Sequence, residues 1–137
     1  MKAVVIGCGR VGSAVSLKLS AAGWDVNVID EREDAFIRLG EDWNGEFHVG
    51  QGMDLDLLRR AGIEQADAVV VATDGDNSNV VIGQMAQKQF AVPAVVVRIF
   101  DPARAEFFSQ HGLDVVCPTK DAIEKLFIAV AGPTTVA

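Results

Sequence analysis

Gly7-Cys8-Gly9-Arg10-Val11-Gly12 is a G-x-G-x-x-G motif that directly follows the apolar run Ala3 to Ile6. Its first glycine permits a tight turn, its second lets the backbone approach a pyrophosphate, and its third lets a helix pack closely on a sheet. Asp30 ends the next apolar run, 18 residues beyond the motif. A glycine turn between a strand and a helix, with an acidic residue at this distance, predicts a nucleotide-binding βαβ unit. The N–H groups that begin the helix would face the phosphates.

Short β-branched runs alternate with longer amphipathic segments along the chain, which is typical of a parallel sheet covered by helices. We predict an α/β fold of the Rossmann-like, doubly wound type, with a six-stranded parallel sheet in the order 3-2-1-4-5-6 and helices on both faces. The central strands are continuously apolar, so both of their faces should be buried. The predicted strands are Ala3 to Ile6, Asp25 to Ile29, Glu46 to Val49, Ala68 to Ala72, Ala94 to Ile99 and Asp114 to Cys117.

Apolar side chains at helical spacing predict the positions and faces of the helices. The first helix should run from Arg10 to Ala22 and end at the glycine that follows. A later helix should have Asp101 as its N-cap, Pro102 at its first position, and His111 and Gly112 at its end. The predicted buried face of the first helix comprises Val11, Ala14, Val15, Leu19 and Ala22.

Composition limits the class of protein. With 137 residues, half of them apolar, the chain can bury one core and is too short for two full domains. Twelve Lys and Arg against 19 Asp and Glu give a net charge of −7, which disfavours binding to nucleic acid or anionic membranes. The chain has no Tyr, and His48 and His111 are its only histidines, so few general bases are available near neutral pH. We therefore expect a binding domain and not an enzyme.

The cysteines and the apolar runs indicate the compartment. Cys8 and Cys117 stand far apart with no metal-like spacing, so we expect free thiols in a reducing cytoplasm and no metal site. The run between Lys2 and Cys8 is too short for an export signal. The longest strictly apolar run, Leu126 to Ala131, is too short for a membrane span, which predicts no direct membrane insertion.

Residues near the glycine motif favour one nucleotide and leave others open. Asp30 would accept hydrogen bonds from ribose hydroxyls and repel a 2′-phosphate, whereas Arg32 would attract one, so NAD is favoured over NADP. ATP and ADP remain alternatives. Arg10 lies beside the anion site, either as a phosphate partner or as a solvated residue of the first helical turn.

A polar loop, Thr73 to Asn79, follows the predicted fourth strand at the edge of the sheet where ligands of this fold lie. Its carboxylates would reach a ribose, or Asp76 and Ser78 would cap the next helix, and the two roles can coexist. The predicted apolar face of that helix includes Val81, Ile82, Met85 and Ala86.

With these residues placed, nearly the whole chain resembles the TrkA-N domain, also called KTN, the N-terminal lobe of the regulator-of-potassium-conductance (RCK) family. An ordered series of motifs is more specific than the glycines alone. The resemblance rests on the Gly-x-Gly-Arg-x-Gly form of Gly7 to Gly12, Val28-Ile29-Asp30, Gly50-Gln51-Gly52-Met53-Asp54, Leu58, Ala61-Gly62, Ala66-Asp67-Ala68, Thr73, Asp76, Asn79, Arg98 and Asp101-Pro102.

The resemblance implies a cytoplasmic sensor, not a catalyst, that binds NAD(H) or an adenine nucleotide such as ATP, ADP or AMP. It implies control of a membrane potassium channel or transporter, and homodimers that the family commonly builds into rings. It assigns the three glycines and Arg10 to phosphate contact, Asp30 and Glu31 to the ribose region, and Gln51 to Met53 to the wall beside adenine. The full candidate site comprises Gly7, Cys8, Gly9, Arg10, Val11, Gly12, Asp30, Glu31, Arg32, Gln51, Gly52, Met53, Asp54, Ala72, Thr73, Asp76, Asn79 and Arg98.

Two features depart from the family pattern. Gln51 stands where the family often has Asp, and a neutral side chain weakens the adenine assignment. The sequence ends at Ala137 without the C-terminal lobe that often follows, which leaves open an N-lobe alone, a single-lobe protein or one half of a two-subunit regulator.

Two other functions remain open. The same glycine turn serves dehydrogenases, although no substrate domain and no Tyr-Lys pair accompanies it here. A free-standing NAD-binding redox sensor would differ from a potassium-transport regulator only in having a soluble partner.

An apolar stripe marks the last predicted helix, over residues 119–131. Thr119 would cap this helix, and no later segment covers its second side, so we predict an isologous dimer contact there. The predicted organisation is a nucleotide-binding domain over 1–118, this helix, and a frayed tail over 132–137. The stripe comprises Ile123, Leu126, Phe127 and Val130, and Ile128, Ala129 and Ala131 widen it.

Overall fold

The computed structural model describes residues 1–132 and contains one parallel sheet. Its strands are β1 (Lys2–Ile6), β2 (Asp25–Asp30), β3 (Glu46–Val49), β4 (Ala68–Val71), β5 (Ala94–Arg98) and β6 (Asp114–Val116). They pair in parallel in the order β3-β2-β1-β4-β5-β6. The predicted fold class and strand order are confirmed.

Helices connect successive strands, as right-handed parallel crossovers require. Within residues 1–132 the α-helices are α1 (Arg10–Ala21), α2 (Leu55–Arg60), α3 (Asp76–Lys88), α4 (Pro102–Gln110) and α5 (Pro118–Ala131). Two 3₁₀ helices, Glu33–Leu39 and Ile63–Gln65, complete the connections. None of these helices has the length and apolar character needed to cross a membrane.

The core lies on both faces of the sheet. On one face, α1 and the 3₁₀ helix Glu33–Leu39 cover side chains such as Val5 and Val28. On the other, α2, α3 and α4 cover side chains such as Ile6 and Val71. Because α1 follows β1 on one face and α3 follows β4 on the other, a crevice opens between the carboxyl ends of these neighbouring strands.

The first helix turns a different face to the sheet from the one predicted. Its buried residues are Gly12, Ser13 and Ser16, and the Ser16 hydroxyl donates to the Gly12 carbonyl at 2.8 Å. A Cβ on Gly12 would overlap the carbonyl oxygen of Gly7, so α1 sits directly on the glycine turn. Because α1 packs so closely on the turn, only small residues fit on its buried face, and that face differs from the one that the spacing of apolar residues predicted. The predicted face is exposed at Val11, Ala14 and Ala22 and half-buried at Val15 and Leu19.

Most predicted boundaries of strands and helices coincide with those of the structure, and the others differ by one residue. β1 begins earlier, at Lys2, and β2 extends to Asp30, whereas α1, β4, β5 and β6 each stop one residue early. The predicted start of α4 is confirmed, because the Asp101 carboxylate accepts from the Arg104 N–H at 2.9 Å and Pro102 occupies the first position. His111 is the C-cap residue of that helix, as expected.

Helix α3 also buries a set of residues that differs from the predicted one. Ile82 and Ala86 are buried as expected, Met85 is half-buried, and Val81 is 43% exposed. The remaining buried positions of α3 are Asn79, Val80 and Gly83. Gly83 lies so close to Val97 that a Cβ there would overlap its side chain, which again shows a small residue facing the sheet.

The last helix begins at Pro118, one residue before the predicted start, and Thr119 does not cap it. Its N-cap is Cys117, whose Sγ accepts from the Lys120 N–H at 3.5 Å. None of the residues 118–131 that form α5 is buried. Of the predicted tail over 132–137, all but Gly132 lies outside the residues that the structure describes.

Candidate nucleotide-binding site

A cleft of about 400 Å³ lies at the carboxyl edge of the sheet. Four connections form its walls: the glycine turn after β1, the segment after β2, the segment after β3 and the loop after β4. The lining residues are 6–9, 29–32, 34, 35, 38, 50–53, 72–75, 78 and 82.

The glycine turn combines two tightly packed glycines with one that faces open space. Gly7 has φ +103°, and a Cβ there would overlap the carbonyl group of Ala72. The Gly7 N–H donates to the Ile29 carbonyl at 2.8 Å, which anchors the turn to β2. By contrast, apart from Gly9 itself and its two neighbours in the chain, no atom lies within 4 Å of the place where a Cβ on Gly9 would sit. Gly7 and Gly12 therefore serve the fold, whereas Gly9 leaves room in front of the backbone.

The two α-helices that begin at the cleft lack side-chain caps. The N-caps of α1 and α3 are Gly9 and Gly75, and neither helix has a side-chain hydrogen bond at its cap. Over residues 1–132, the other three α-helices are capped by the side chains of Asp54, Asp101 and Cys117. First-turn N–H groups of α1 and α3 thus remain available at the cleft, and such groups favour anions.

Asp76 does not cap α3, contrary to one of the predicted roles. Its carboxylate accepts from the Phe100 N–H at 2.8 Å and from the Asp101 N–H at 3.0 Å. Ser78 does not cap the helix either, since the cap position belongs to Gly75. Asp76 instead holds the β5–α4 connection against the start of α3, a long-range role that local capping patterns do not reveal.

Asp30 connects β2 to the glycine turn. Its Oδ2 accepts from the Cys8 N–H at 2.7 Å, and its Oδ1 accepts from the Arg32 N–H at 2.8 Å. A carboxylate offers about four acceptor positions, so both oxygens retain capacity for further donors. The side chain is half-buried and lines the cleft, where ribose hydroxyls would supply such donors.

Cys8 lies beneath the cleft as a buried thiol. Its Sγ donates to the Ala35 carbonyl at 3.5 Å, across the gap to the 3₁₀ helix Glu33–Leu39. Burial and the nearby Asp30 carboxylate raise the pKa of this thiol to about 11, although Arg38 acts in the opposite direction. The thiol is therefore neutral at physiological pH, which explains its packing as a small apolar residue.

An ion pair lies at the rim of the cleft. The Arg32 guanidinium donates to both carboxylate oxygens of Asp34, at 3.2 and 3.0 Å. This hydrogen bonding and the accompanying charge lower the pKa of Asp34 and raise that of Arg32. Both side chains are mostly exposed, so the pair contributes little to stability.

The loop after β4 is held by a buried amide. Asn79 is fully buried, and its Oδ1 accepts from both the N–H and the hydroxyl of Thr73. Its Nδ2 donates to the carbonyls of Thr73, at 3.0 Å, and Arg98, at 2.8 Å. The Arg98 guanidinium in turn donates to the carbonyls of Ala72 and Thr73, and Asp74 lies 3.6 Å from it. Asn79 and Arg98 together fix the backbone that forms this wall of the cleft.

The comparison with known families agrees with this geometry. Residues 3–119 match the family model of the TrkA-N domain. The chain belongs to the TrkA-N domain family. A Trk system potassium uptake protein TrkA of Streptomyces coelicolor is 42% identical over 120 residues, which are 88% of this chain and 54% of that protein. The TrkA of Mycobacterium tuberculosis is 34% identical over 127 residues, which are 92% of this chain and 57% of that protein. The chain thus spans about half the length of these relatives.

Solved structures share the TrkA-N fold. The TrkA-N domain of the Escherichia coli inner membrane protein ybaL has a TM-score of 0.82 and 18% identity, and the match covers 94% of this chain and 96% of that one. A Shewanella denitrificans Kef CTD in AMP-bound form has a TM-score of 0.81 and 25% identity, with coverage of 99% and 86%. A GsuK channel bound to NAD has a TM-score of 0.77 and 22% identity, with coverage of 93% and 22%.

In this TrkA-N domain the cleft brings together the predicted residues from four connections. Seven predicted residues lie outside its lining, and their contacts explain why. Gly12 supports the turn from within α1, Asp54 caps α2, and Asp76, Asn79 and Arg98 hold the neighbouring loops. Arg10 and Val11 are exposed at the start of α1. The predicted residues that line the cleft are Gly7, Cys8, Gly9, Asp30, Glu31, Arg32, Gln51, Gly52, Met53, Ala72 and Thr73.

Sequence reasoning missed the contribution of the 3₁₀ helix Glu33–Leu39, which brings Asp34, Ala35 and Arg38 to the cleft. The place of this segment in the sequence could have indicated its role. A segment that leaves the carboxyl end of β2 directly after Asp30 must pass the same edge of the sheet. Asp74, Gly75 and Ser78 belong to the polar loop that the sequence placed at this edge of the sheet. The other lining residues, which were not predicted, are Ile6, Ile29, Gly50 and Ile82.

Proposed function

We propose that this TrkA-N domain is a regulatory, non-catalytic domain that binds a nucleotide in the cleft, with NAD(H) favoured and ATP, ADP or AMP as alternatives. The observation that carries the proposal is the open space in front of Gly9, between two helices whose first turns lack side-chain caps. A diphosphate there would accept hydrogen bonds from backbone N–H groups and lie at the positive ends of both helix dipoles.

Three bound neighbours support a nucleotide of this class. They are a GsuK channel bound to NAD, GsuK bound to ADP, and a Kef CTD in AMP-bound form. The shared part of these ligands is adenosine with at least one phosphate. In this chain, Asp30 and Glu31 would contact the ribose, and Gln51 to Met53 would lie beside the adenine. Because an Asp30 carboxylate repels a 2′-phosphate, we propose a preference for NADH over NADPH.

Isothermal titration calorimetry with NAD, NADH, NADPH, ATP, ADP and AMP tests the proposal directly. We expect micromolar or tighter binding of at least one of them, with NADH ahead of NADPH. Absence of binding by all six would contradict the proposed function. Steady reduction of NAD in the presence of small hydroxy acids would contradict the non-catalytic role and favour a dehydrogenase.

We also propose that the domain acts in the cytoplasm as the regulatory partner of a potassium transport system. The support for this proposal is the name of the relatives, potassium uptake protein TrkA, of which this chain matches about half. The partner would be a membrane potassium transport subunit, approached from the cytoplasmic side. Co-purification of the tagged domain with such a subunit, and a change in potassium uptake when the domain is deleted, would test it. Association with soluble proteins alone would favour a free-standing redox sensor instead.

We also propose that α5 forms an isologous dimer contact, from which larger rings can be built. Ile123, Leu126, Phe127 and Val130 lie at helical spacing and are between 49% and 91% exposed. Burying each large side chain would contribute about 1.5 to 3 kcal/mol before the costs of association. Light scattering should show a dimer at micromolar concentration that Phe127→Asp disrupts and Lys125→Gln, with the same change in charge on the same helix, leaves intact. A monomeric parent, or a dimeric Phe127→Asp variant, would contradict this contact.

A further inference from the structure

The cleft is acidic for a site that would hold phosphates. Its lining includes the acidic residues Asp30, Glu31, Asp34 and Asp74 against Arg32 and Arg38. Asp74 lies 3.6 Å from the guanidinium group of Arg98, outside the lining, which leaves three acidic residues against two arginines. One of these cations is already committed, because Arg32 donates two hydrogen bonds to Asp34. A positive side chain that faces the phosphates would offset the repulsion between these carboxylates and an anionic nucleotide.

Arg38 is such a group. It belongs to the 3₁₀ helix Glu33–Leu39, lines the cleft and is exposed. No other residue of the described chain forms a hydrogen bond or an ion pair with its guanidinium. Its charge nevertheless acts on two neighbours: it opposes the rise in the pKa of the Cys8 thiol, and it adds to the effect of Arg32 in lowering the pKa of Asp34. Arg38 thus lines the cleft with free donors.

Arg10 is the arginine that the sequence places beside the phosphates. In the structure it is exposed at the start of α1 and does not line the cleft. An arginine that already lines the cleft and has no other partner needs less reorganisation to meet a ligand than one outside it.

We propose that Arg38 is a specificity-determining residue of this cleft and binds a phosphate group of the nucleotide through its guanidinium. This inference rests on the proposed nucleotide-binding function. Arginine presents several N–H donors in a planar fork, which suits two parallel hydrogen bonds to phosphate oxygens. The phosphate belongs either to the diphosphate or to the ribose 2′-position, and both present the same chemistry to Arg38.

Calorimetry of Arg38→Gln with ADP, NADPH and adenosine tests the inference. We expect at least one phosphorylated ligand to bind about tenfold more weakly, equivalent to about 1.4 kcal/mol, with adenosine affected less than twofold. A loss with both ADP and NADPH assigns the contact to the diphosphate, and a loss with NADPH alone assigns it to the 2′-phosphate. The salt dependence of the affected affinity should also decrease, because one charge pair is removed.

Two further variants separate a contact from a general effect of charge. Arg60→Gln makes the same change on α2, outside the cleft lining, and should bind every ligand as the parent does. Arg10→Gln tests the rival arginine and should lose less affinity than Arg38→Gln. Unchanged binding by Arg38→Gln, an equal loss in Arg60→Gln, or a larger loss in Arg10→Gln would overturn the inference while leaving the proposed function intact. A parent that binds none of the phosphorylated ligands would contradict the proposed function itself.

Discussion

The loops that follow β1 and β4 lie side by side at the carboxyl edge of the sheet, and they are held in opposite ways. The glycine turn after β1 is anchored largely through its own backbone, by Gly7 to Ile29 and by Cys8 to Asp30. The loop after β4 is anchored by side chains, chiefly Asn79 and Arg98, which occupy its carbonyls and N–H groups. One loop keeps free space and free donors, and the other uses its donors and acceptors internally.

This difference assigns separate tasks to the two walls of the cleft. A buried polar group must be hydrogen-bonded, so the network around Asn79 stabilises the fold and fixes one wall. Gly9 does not stabilise the fold through packing, because no residue beyond its chain neighbours approaches its Cβ position. Substitutions in the β4 loop should therefore change stability first, and substitutions at Gly9 should change binding first.

The largest effect is expected for Asn79→Ala. Removing the amide leaves the Thr73 N–H and the Arg98 carbonyl without their buried partner, which should lower the free energy of unfolding by about 3 kcal/mol. Urea denaturation followed by circular dichroism measures this change. Asn44→Ala, at an exposed position outside the sheet, is the matched control and should stay within about 0.5 kcal/mol of the parent. Equal stability of Asn79→Ala and Asn44→Ala would show that the network does not hold the loop.

For Gly9→Val we expect a loss of nucleotide binding with little change in stability. The backbone of Gly9, at φ −79° and ψ −158°, is open to any L-residue, so the free energy of unfolding should change by less than about 1 kcal/mol. The side chain would fill the space proposed for the diphosphate and should weaken NADH binding at least 30-fold, or about 2 kcal/mol. Ala14→Val adds bulk to the exposed side of the same helix and should bind normally. A folded Gly9→Val variant that keeps the affinity of the parent would remove the diphosphate from this turn.

The sequence was sufficient for the part of the molecule that depends on local pattern. Strand order followed from the alternation of strands and helices along the chain, and the turn followed from the glycine spacing and Asp30, which lie within a single βαβ unit. The sequence was insufficient wherever a contact depends on the packing of the folded chain. The buried face of α1 is set by the close approach of Gly12 to Gly7, and Asp76 binds the backbone of residues 100 and 101 rather than capping its own helix. Arg38 was missed for another reason: the position of its segment after Asp30 places the segment at this edge, but only the folded chain shows that Arg38 is among its cleft-lining residues.

A smaller effect should appear in the choice between NADH and NADPH. Asp30 faces the cleft with acceptor capacity to spare, so NADPH should bind about tenfold more weakly than NADH, or about 1.4 kcal/mol. Asp30→Asn removes the charge and should narrow this ratio to about threefold or less, as measured by calorimetry with both ligands. Asp25→Asn, at the opposite end of the same strand, should preserve the ratio. Equal affinity of the parent for both nucleotides would mean that arginines at the cleft outweigh Asp30.

The smallest expected effect is a loss of stability at alkaline pH, caused by the Cys8 thiol in the glycine turn. The folded pKa of Cys8 is raised from 9.0 to about 11, chiefly by burial, so the folded state keeps the thiol proton where the unfolded state has lost it. The contribution of the Cys8 thiol to the free energy of unfolding should therefore be nearly constant below pH 9. It should decline between pH 9 and 11, and the loss should reach about 1 kcal/mol at pH 10. The chain has no Tyr, which removes one class of side chain that would titrate in the same range.

Urea denaturation of the parent, Cys8→Ala and Cys117→Ala at pH 8 and pH 10 measures the difference. Cys8→Ala should lose less stability than the parent over this interval, whatever its stability at pH 8, whereas Cys117→Ala should follow the parent. If the parent and Cys8→Ala decline equally, the thiol beneath the glycine turn is not held in its neutral form by burial.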